Sequence, residues 1–338
     1  LSFPELVFLE NLLESLKGKA RIEEIARVPF HQESFPLYSI SVGSTKPEDP
    51  CLALIGGVHG QEKIGSQVVL SFLESLTELL YWDELTHQAL EKSRIVFLPI
   101  VNPVGMFLLR RGNGNRVDIM RNGPLDSLDS AIPFLEGQRL SPYLPWYRGK
   151  SGAPMEVEAQ ALCDFVKKEV FPSRVGIALD CHSGYGTMDR LWFPYSRTIK
   201  PYPELPEAFA LKTLLDRTYP NHVYRMEPGA QGYTISGDIW DYLYEEHRKE
   251  ENPHKRFLPL TLEMGSWLWL KKNPVQLFSA LGLFHPMHLH RHKRILRRHL
   301  TLLEFLHKAV VSPQLWAFPS EAERTELQRE AFDHWHSE

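Results

Sequence analysis

Leu52-Ala-Leu-Ile-Gly-Gly-Val-His59-Gly-Gln-Glu62 is a hydrophobic run that breaks at paired glycines and at once presents a His-x-x-Glu. Residues 52–55 read as a buried strand, Gly56 and Gly57 end it, and helical apolar spacing resumes over 64–73. The pattern puts His59 and Glu62 on a strand-to-helix turn, at the carboxyl end of a strand, where sites in α/β folds gather. An imidazole and a carboxylate placed there can hold one Zn²⁺ at about 2.0–2.2 Å each, and two protein ligands leave its shell open. Without that placement the motif is weak, since surface helices carry His and Glu three apart as solvated pairs.

Working outward, residues 175–184 (Val-Gly-Ile-Ala-Leu-Asp-Cys-His-Ser-Gly) repeat the design: a hydrophobic strand ending in His182 and a glycine turn. His182 is the best third ligand, giving a His₂Glu set with one open position, the catalytic pattern for zinc. The plainer alternative is a core histidine bonded to backbone. A third strand, residues 257–263, ends in Glu263 before Met264-Gly265. A carboxylate there can take a proton from water acidified by the ion and pass it to a leaving amine, although strand-end surface carboxylates are also common.

Taken together, these residues resemble the zinc carboxypeptidases of the carboxypeptidase A type over about residues 36–306. The resemblance implies His59, Glu62 and His182 as ligands of one Zn²⁺ per chain and Glu263 as general base. Residues 100–105 (Ile-Val-Asn-Pro-Val-Gly) look like the family's Asn-Pro-x-Gly turn, and 117–122 (Val-Asp-Ile-Met-Arg-Asn) like its Val-Asp-x-Asn-Arg-Asn segment. By that likeness Asp118 orients His59 from behind, and Arg121, with Asn122, binds the substrate's terminal carboxylate. Arg111 matches the arginine that steadies the oxyanion, although Arg110 and Arg116 crowd the same loop. Tyr233, on a Gly-Ser loop, looks like the family's mobile tyrosine. Trp240 and Thr261 fall near side-chain pocket positions, which suggests a pocket without a buried acid. Met120 departs from the pattern: the family usually has asparagine there, and a thioether cannot donate a hydrogen bond to a carboxylate.

Strands alternating with helical stretches at 66–80 and 156–170 predict an α/β fold. The resemblance makes it a single domain with a mixed parallel/antiparallel twisted sheet and helices on both faces. We place the catalytic domain at 1–310, with a helix (4–16) and a strand of the first 35 residues packed on it, and a C-terminal extension at 311–338. Strands are expected at 21–28, 37–42 and 95–101, a long irregular cleft-lining loop at 126–152, and a solvated excursion at 245–256.

The 338 residues are 43% hydrophobic and 24% charged with a net charge of −4, an ordinary globular composition that argues against a nucleic-acid binder. No run of 18 apolar residues appears, so neither a membrane span nor a membrane partner is expected. Cys51, Cys163 and Cys181 form no paired framework and read as reduced core thiols of a cytoplasmic protein. The histidines at 285, 288, 290, 292 and 299 lie on helical spacing beside many cations and read as a basic helix face instead of a second metal site.

The expected function is zinc-dependent hydrolysis of peptide or amide bonds, most simply as a carboxypeptidase. An N-acyl amino acid deacylase of the desuccinylase/aspartoacylase kind would use the same metal core with a small closed pocket. A non-catalytic zinc protein is the remaining alternative. The substrate expected is a peptide or acylated amino acid with a carboxylate; oligomeric state is not legible.

Overall fold

The structure is a computed structural model that describes residues 2–129, 136–231, 233–279 and 281–337. Its strands are β1 (Arg21–Phe30), β2 (Glu33–Gly43), β3 (Cys51–Gly56), β4 (Arg94–Leu98), β5 (Val175–Ser183), β6 (Arg190–Phe193), β7 (Arg225–Pro228) and β8 (Arg256–Met264). They form one sheet in the order β1-β2-β4-β3-β5-β8-β6-β7. β4, β3, β5 and β8 run parallel, while β1, β2 and β6 introduce antiparallel pairs. The helices are α1 (Pro4–Ser15), α2 (Lys63–Trp82), α3 (Glu84–Leu90), α4 (Pro103–Phe107), α5 (Val157–Glu169), α6 (Leu205–Thr218), α7 (Ile239–Arg248), α8 (Trp267–Lys272), α9 (Leu289–Val311) and α10 (Glu321–Trp335). The mixed sheet with helices on both faces is the expected architecture.

Continuous apolar runs make β3, β4 and β5 buried along their whole length, as strands covered on both faces must be. Strand alternation then splits the core in two. Leu52, Leu54, Ile177 and Leu179 join the layer beneath α1, α2 and α9. Cys51, Ala53, Ile55 and Ala178 join the opposite layer with Leu162 and Phe165 of α5 and Leu243 of α7. All three cysteines are free and buried.

Two glycines bring the site together. Gly57 turns the chain out of β3 at φ 70°, a conformation open to glycine. Gly65, in the first turn of α2, lies so close to β5 that a Cβ there would stand 2.0 Å from the Cys181 carbonyl oxygen. Absence of that side chain lets α2 carry Glu62 against the end of β5.

Some boundaries differ from expectation. β4 stops at Leu98, because Pro99 has no N–H for the ladder, and the chain then folds over the end of β3 through Val101 N–H to the Gly56 carbonyl (3.0 Å). The first residues of the 245–256 excursion instead complete α7, which runs to Arg248. Residues 130–135 of the 126–152 loop lie outside the described residues; Pro145 and Trp146 of that loop do reach the central cavity. α10 packs on α6 and buries Trp335, whose Nε1 donates to the Met226 carbonyl at 2.9 Å. No helix among the described residues is long and apolar enough to cross a membrane.

Candidate metal centre and cleft

Three strand ends converge. The turn after β3 supplies His59 and Glu62, the end of β5 supplies His182, and β8 sets Glu263 directly opposite His182 in the parallel register. One ligand atom from each of His59, Glu62 and His182 lies within 4.8 Å of the others, and all three side chains are buried. His59 Nδ1 is 2.9 Å from Glu62 Oε1, and His182 Nδ1 is 3.1 Å from Glu62 Oε2. The two Nδ1 atoms stand 3.0 Å apart, so both rings turn the same nitrogen toward one point. Two nitrogens and one carboxylate oxygen around such a point fit zinc.

Each imidazole is held from behind. His59 Nε2 faces Asp118 Oδ1 at 3.0 Å, and His182 Nε2 faces Asp180 Oδ2 at 2.7 Å. A carboxylate at Nε2 keeps the proton there and leaves Nδ1 as the donor atom. Asp180, two residues before His182 on the same strand face, escaped the sequence reading, although that i, i−2 spacing was visible. Trp240 Nε1 donates to the same Asp180 oxygen at 3.0 Å. Replacing Asp180 with Asn is expected to weaken zinc affinity about 10- to 100-fold with the fold intact, measured by competition with a chromophoric chelator.

Charges around the centre are strongly coupled. Burial pushes the Glu62 carboxyl up, but in the metal-free chain the adjacent His59 and His182 imidazoles outweigh it and hold Glu62 below the usual range. Burial likewise opposes ionisation of Asp118, and Arg111, His59 and Arg121 hold it well below its ordinary value. Glu263 goes the other way: burial and the nearby Glu62 charge push it up to about 8, against the Tyr185 N–H that it accepts at 2.9 Å.

Of the three crowded arginines, Arg111 points at the centre. Its Nε donates to Asp118 at 2.8 Å and its Nη1 to Glu62 at 3.3 Å. Arg110 instead bonds the Gly114 carbonyl, and Arg116 covers the Tyr143 ring. Arg121 is buried, with Nη1 3.1 Å from Asp118 and Nε without a partner.

A cavity of about 510 Å³ lies over these groups, lined by His59, Glu62, His182 and Glu263 and also by Arg111, Arg121, Tyr233, Trp240 and Thr261. Met120 is on its wall beside Arg121. Asn122 is not on that wall: its amide donates to the Arg148 carbonyl and accepts from the Glu156 N–H, so its polar atoms serve the loop. The expectation of a pocket without a buried acid also fails. Asp238 and Asp241 are both buried and both on the wall, and Asp238 Oδ2 lacks a hydrogen-bond partner. Burial raises the Asp238 carboxyl to about 6.

The basic histidine-rich segment holds no second cluster: among the described residues the one group placed for a metal is His59, Glu62 and His182. His299 is instead buried against Tyr224, whose hydroxyl is 3.0 Å from its Nδ1.

An α/β sheet that gathers two histidines, a glutamate and a further carboxylate at its carboxyl edge beneath a cleft has the build of a metallohydrolase. The zinc carboxypeptidase family profile matches residues 8–267, and the chain belongs to that family. It is 27% identical over 121 residues to carboxypeptidase SOL1 of Arabidopsis thaliana, covering 35% of this chain and 24% of that protein. It is 34% identical over 139 residues to carboxypeptidase E of Caenorhabditis elegans, covering 37% and 27%. The chain thus matches about a quarter of the length of these curated relatives. Among solved structures, thrombin-activatable fibrinolysis inhibitor shares the fold with TM-score 0.66 at 18% identity, covering 93% of this chain and 73% of that one. Carboxypeptidase A from Helicoverpa armigera does so with TM-score 0.63 at 16% identity, covering 90% and 71%.

Proposed function

We propose that the protein is a zinc-dependent carboxypeptidase. The observation that carries this reading is the convergence of His59, Glu62 and His182 within 4.8 Å of one another inside a cleft that also holds Glu263. His59, Glu62 and His182 would hold the ion, and a zinc ion held there supplies Lewis acidity toward a carbonyl oxygen and acidifies water. Glu263, as general base, takes a proton from the attacking water and delivers it to the leaving amine. Arg111, directed at the cluster by Asp118, donates to the oxygen on which negative charge develops. Arg121 receives the terminal carboxylate through the guanidinium edge that Asp118 leaves free, and half-exposed Tyr233 closes the outer rim. A cleft of about 510 Å³ rimmed by exposed tyrosines favours a peptide over the small closed pocket a deacylase needs.

Met120 supplies no donor beside Arg121, so recognition of the carboxylate rests on that one arginine. A matched pair of peptides, one with a free C-terminal carboxylate and one amidated, tests this with metal content measured in the same sample. The free acid should be cleaved with kcat/KM roughly 10- to 150-fold higher, the worth of one charge-assisted hydrogen bond. Equal cleavage of the two would remove Arg121 from its assigned role, and cleavage of neither at one zinc per chain would favour the deacylase.

A further inference from the structure

Residues 264–303 contain seven Lys or Arg and no Asp or Glu, while the rest of the chain carries 31 basic against 42 acidic residues. This basic tract, α8 through the first two-thirds of α9, also holds a concentration of bare apolar side chains. Phe278 is 91% exposed, Val275 73%, Leu289 69% and Leu277 60%, with Met287 and Trp267 about half exposed. Lys271, Lys272, Lys293, Arg294 and Arg297 are exposed on the same elements.

The tract is anchored as one piece. Arg291 Nη1 donates to the Trp269 carbonyl at 3.2 Å, tying the first turn of α9 to α8. Trp267 Nε1 donates to the Gly184 carbonyl at 2.8 Å, and Ser183 Oγ to the Phe284 carbonyl at 2.7 Å, tying the tract to the end of the strand that carries His182. Phe284 in turn lines the cleft. The patch therefore borders the cleft mouth.

Apolar surface of this kind marks a contact face, and the charge selects what covers it. A second copy related by a twofold axis would bring the basic tract against itself, so self-association is opposed by like-charge repulsion. Single-stranded nucleic acid suits cations with stacking aromatics, but Val275, Leu277 and Leu289 are aliphatic and offer nothing to a base. Exposed aliphatic and aromatic side chains carried on the same elements as exposed Lys and Arg are instead what an interfacial protein lays into the boundary of an anionic bilayer. We propose that this face docks the protein on an anionic lipid surface, with the cleft mouth beside the membrane. The proposal is independent of the hydrolytic reading, because none of these side chains touches the metal cluster.

Flotation of the full chain with vesicles of phosphatidylcholine alone, or mixed in equal parts with phosphatidylglycerol, tests it. Binding is expected to the mixed vesicles only and to fall as salt rises. Lys271→Gln with Lys272→Gln should weaken it about 25-fold, near fivefold for each cation removed. Leu277→Glu with Phe278→Glu should abolish it, with circular dichroism and melting temperature unchanged to show that the fold survives. Equal binding to neutral vesicles, no binding to mixed ones, or binding unaffected by the Leu277/Phe278 pair would overturn the proposal. So would a wild-type dimer that becomes a monomer in the Leu277/Phe278 variant without any lipid binding, since a second copy would then cover the face. Binding to heparin that matches vesicle binding and ignores the Leu277/Phe278 pair would equally overturn it, leaving a polyanion site.

Discussion

Glu263→Gln should lower kcat about 10²- to 10⁴-fold while one equivalent of zinc stays bound. The substitution keeps the volume and an oxygen able to accept the Tyr185 N–H, now at 2.9 Å, and removes only the capacity to take a proton. None of the three candidate ligands changes, so metal content separates this result from a collapsed site. The direction of the Glu263 pKa adds a second readout. Burial and the Glu62 charge raise it from 4.5 to about 8 in the metal-free protein. A carboxyl raised in this way is protonated in the folded chain and ionised in the unfolded chain over that interval. Glu263 accordingly contributes a loss of stability to the metal-free protein as pH rises from about 4.5 to about 8, and Glu263→Gln removes that contribution. Activity runs in the opposite sense, since the base works ionised and its contribution disappears as pH falls through its pKa. A bound cation draws that pKa down, so the acid limb of kcat/KM should lie below 8 and should be absent from the residual rate of the Gln variant. Full activity in that variant would sink the assigned mechanism.

Much of this centre was legible because each candidate ligand lies at the end of a hydrophobic strand with glycine nearby, a pattern that fixes position as well as residue type. His59, Glu62, His182 and Glu263 all announce themselves that way, and the sheet order places β3, β5 and β8 side by side. Residues whose role depends on direction were read less well. Asn122 belongs to the same recognisable segment as Arg121, yet a single turn sends its amide to the Arg148 carbonyl and away from the cleft. Asp238 looks like a helix cap, and it is one, accepting from the Asp241 N–H at 2.8 Å. That its second oxygen would be left buried without a hydrogen-bond partner depends on how α7 packs, which a local motif does not encode. Strands β6 and β7 are four residues each, too short for a periodic signal, and are tied to each other by the ion pair of Arg190 with Glu227 at 2.9 Å.

His59→Ala should abolish zinc binding and hydrolysis together while leaving a folded protein. The network around the missing imidazole argues for survival of the fold. Asp118 would keep Arg111 at 2.8 Å and Arg121 at 3.1 Å, so its buried charge stays compensated. Glu62 would keep the Ser183 N–H at 3.0 Å, His182 at 3.1 Å and Arg111 at 3.3 Å. Metal linkage then supplies a measurement that does not depend on turnover. In the wild type, free zinc at a hundredfold over its Kd should stabilise the folded state by about 2.7 kcal/mol. For a chain of this size that is a rise of several degrees in melting temperature, reversed by a chelator. In His59→Ala the zinc-dependent rise should vanish, and the melting temperature should match that of the chelated wild type within a few degrees. The neighbouring His182→Ala should behave alike, because two remaining ligands do not close the site. A zinc-dependent rise that persists in both variants would place the ion elsewhere and remove these histidines from the metal centre.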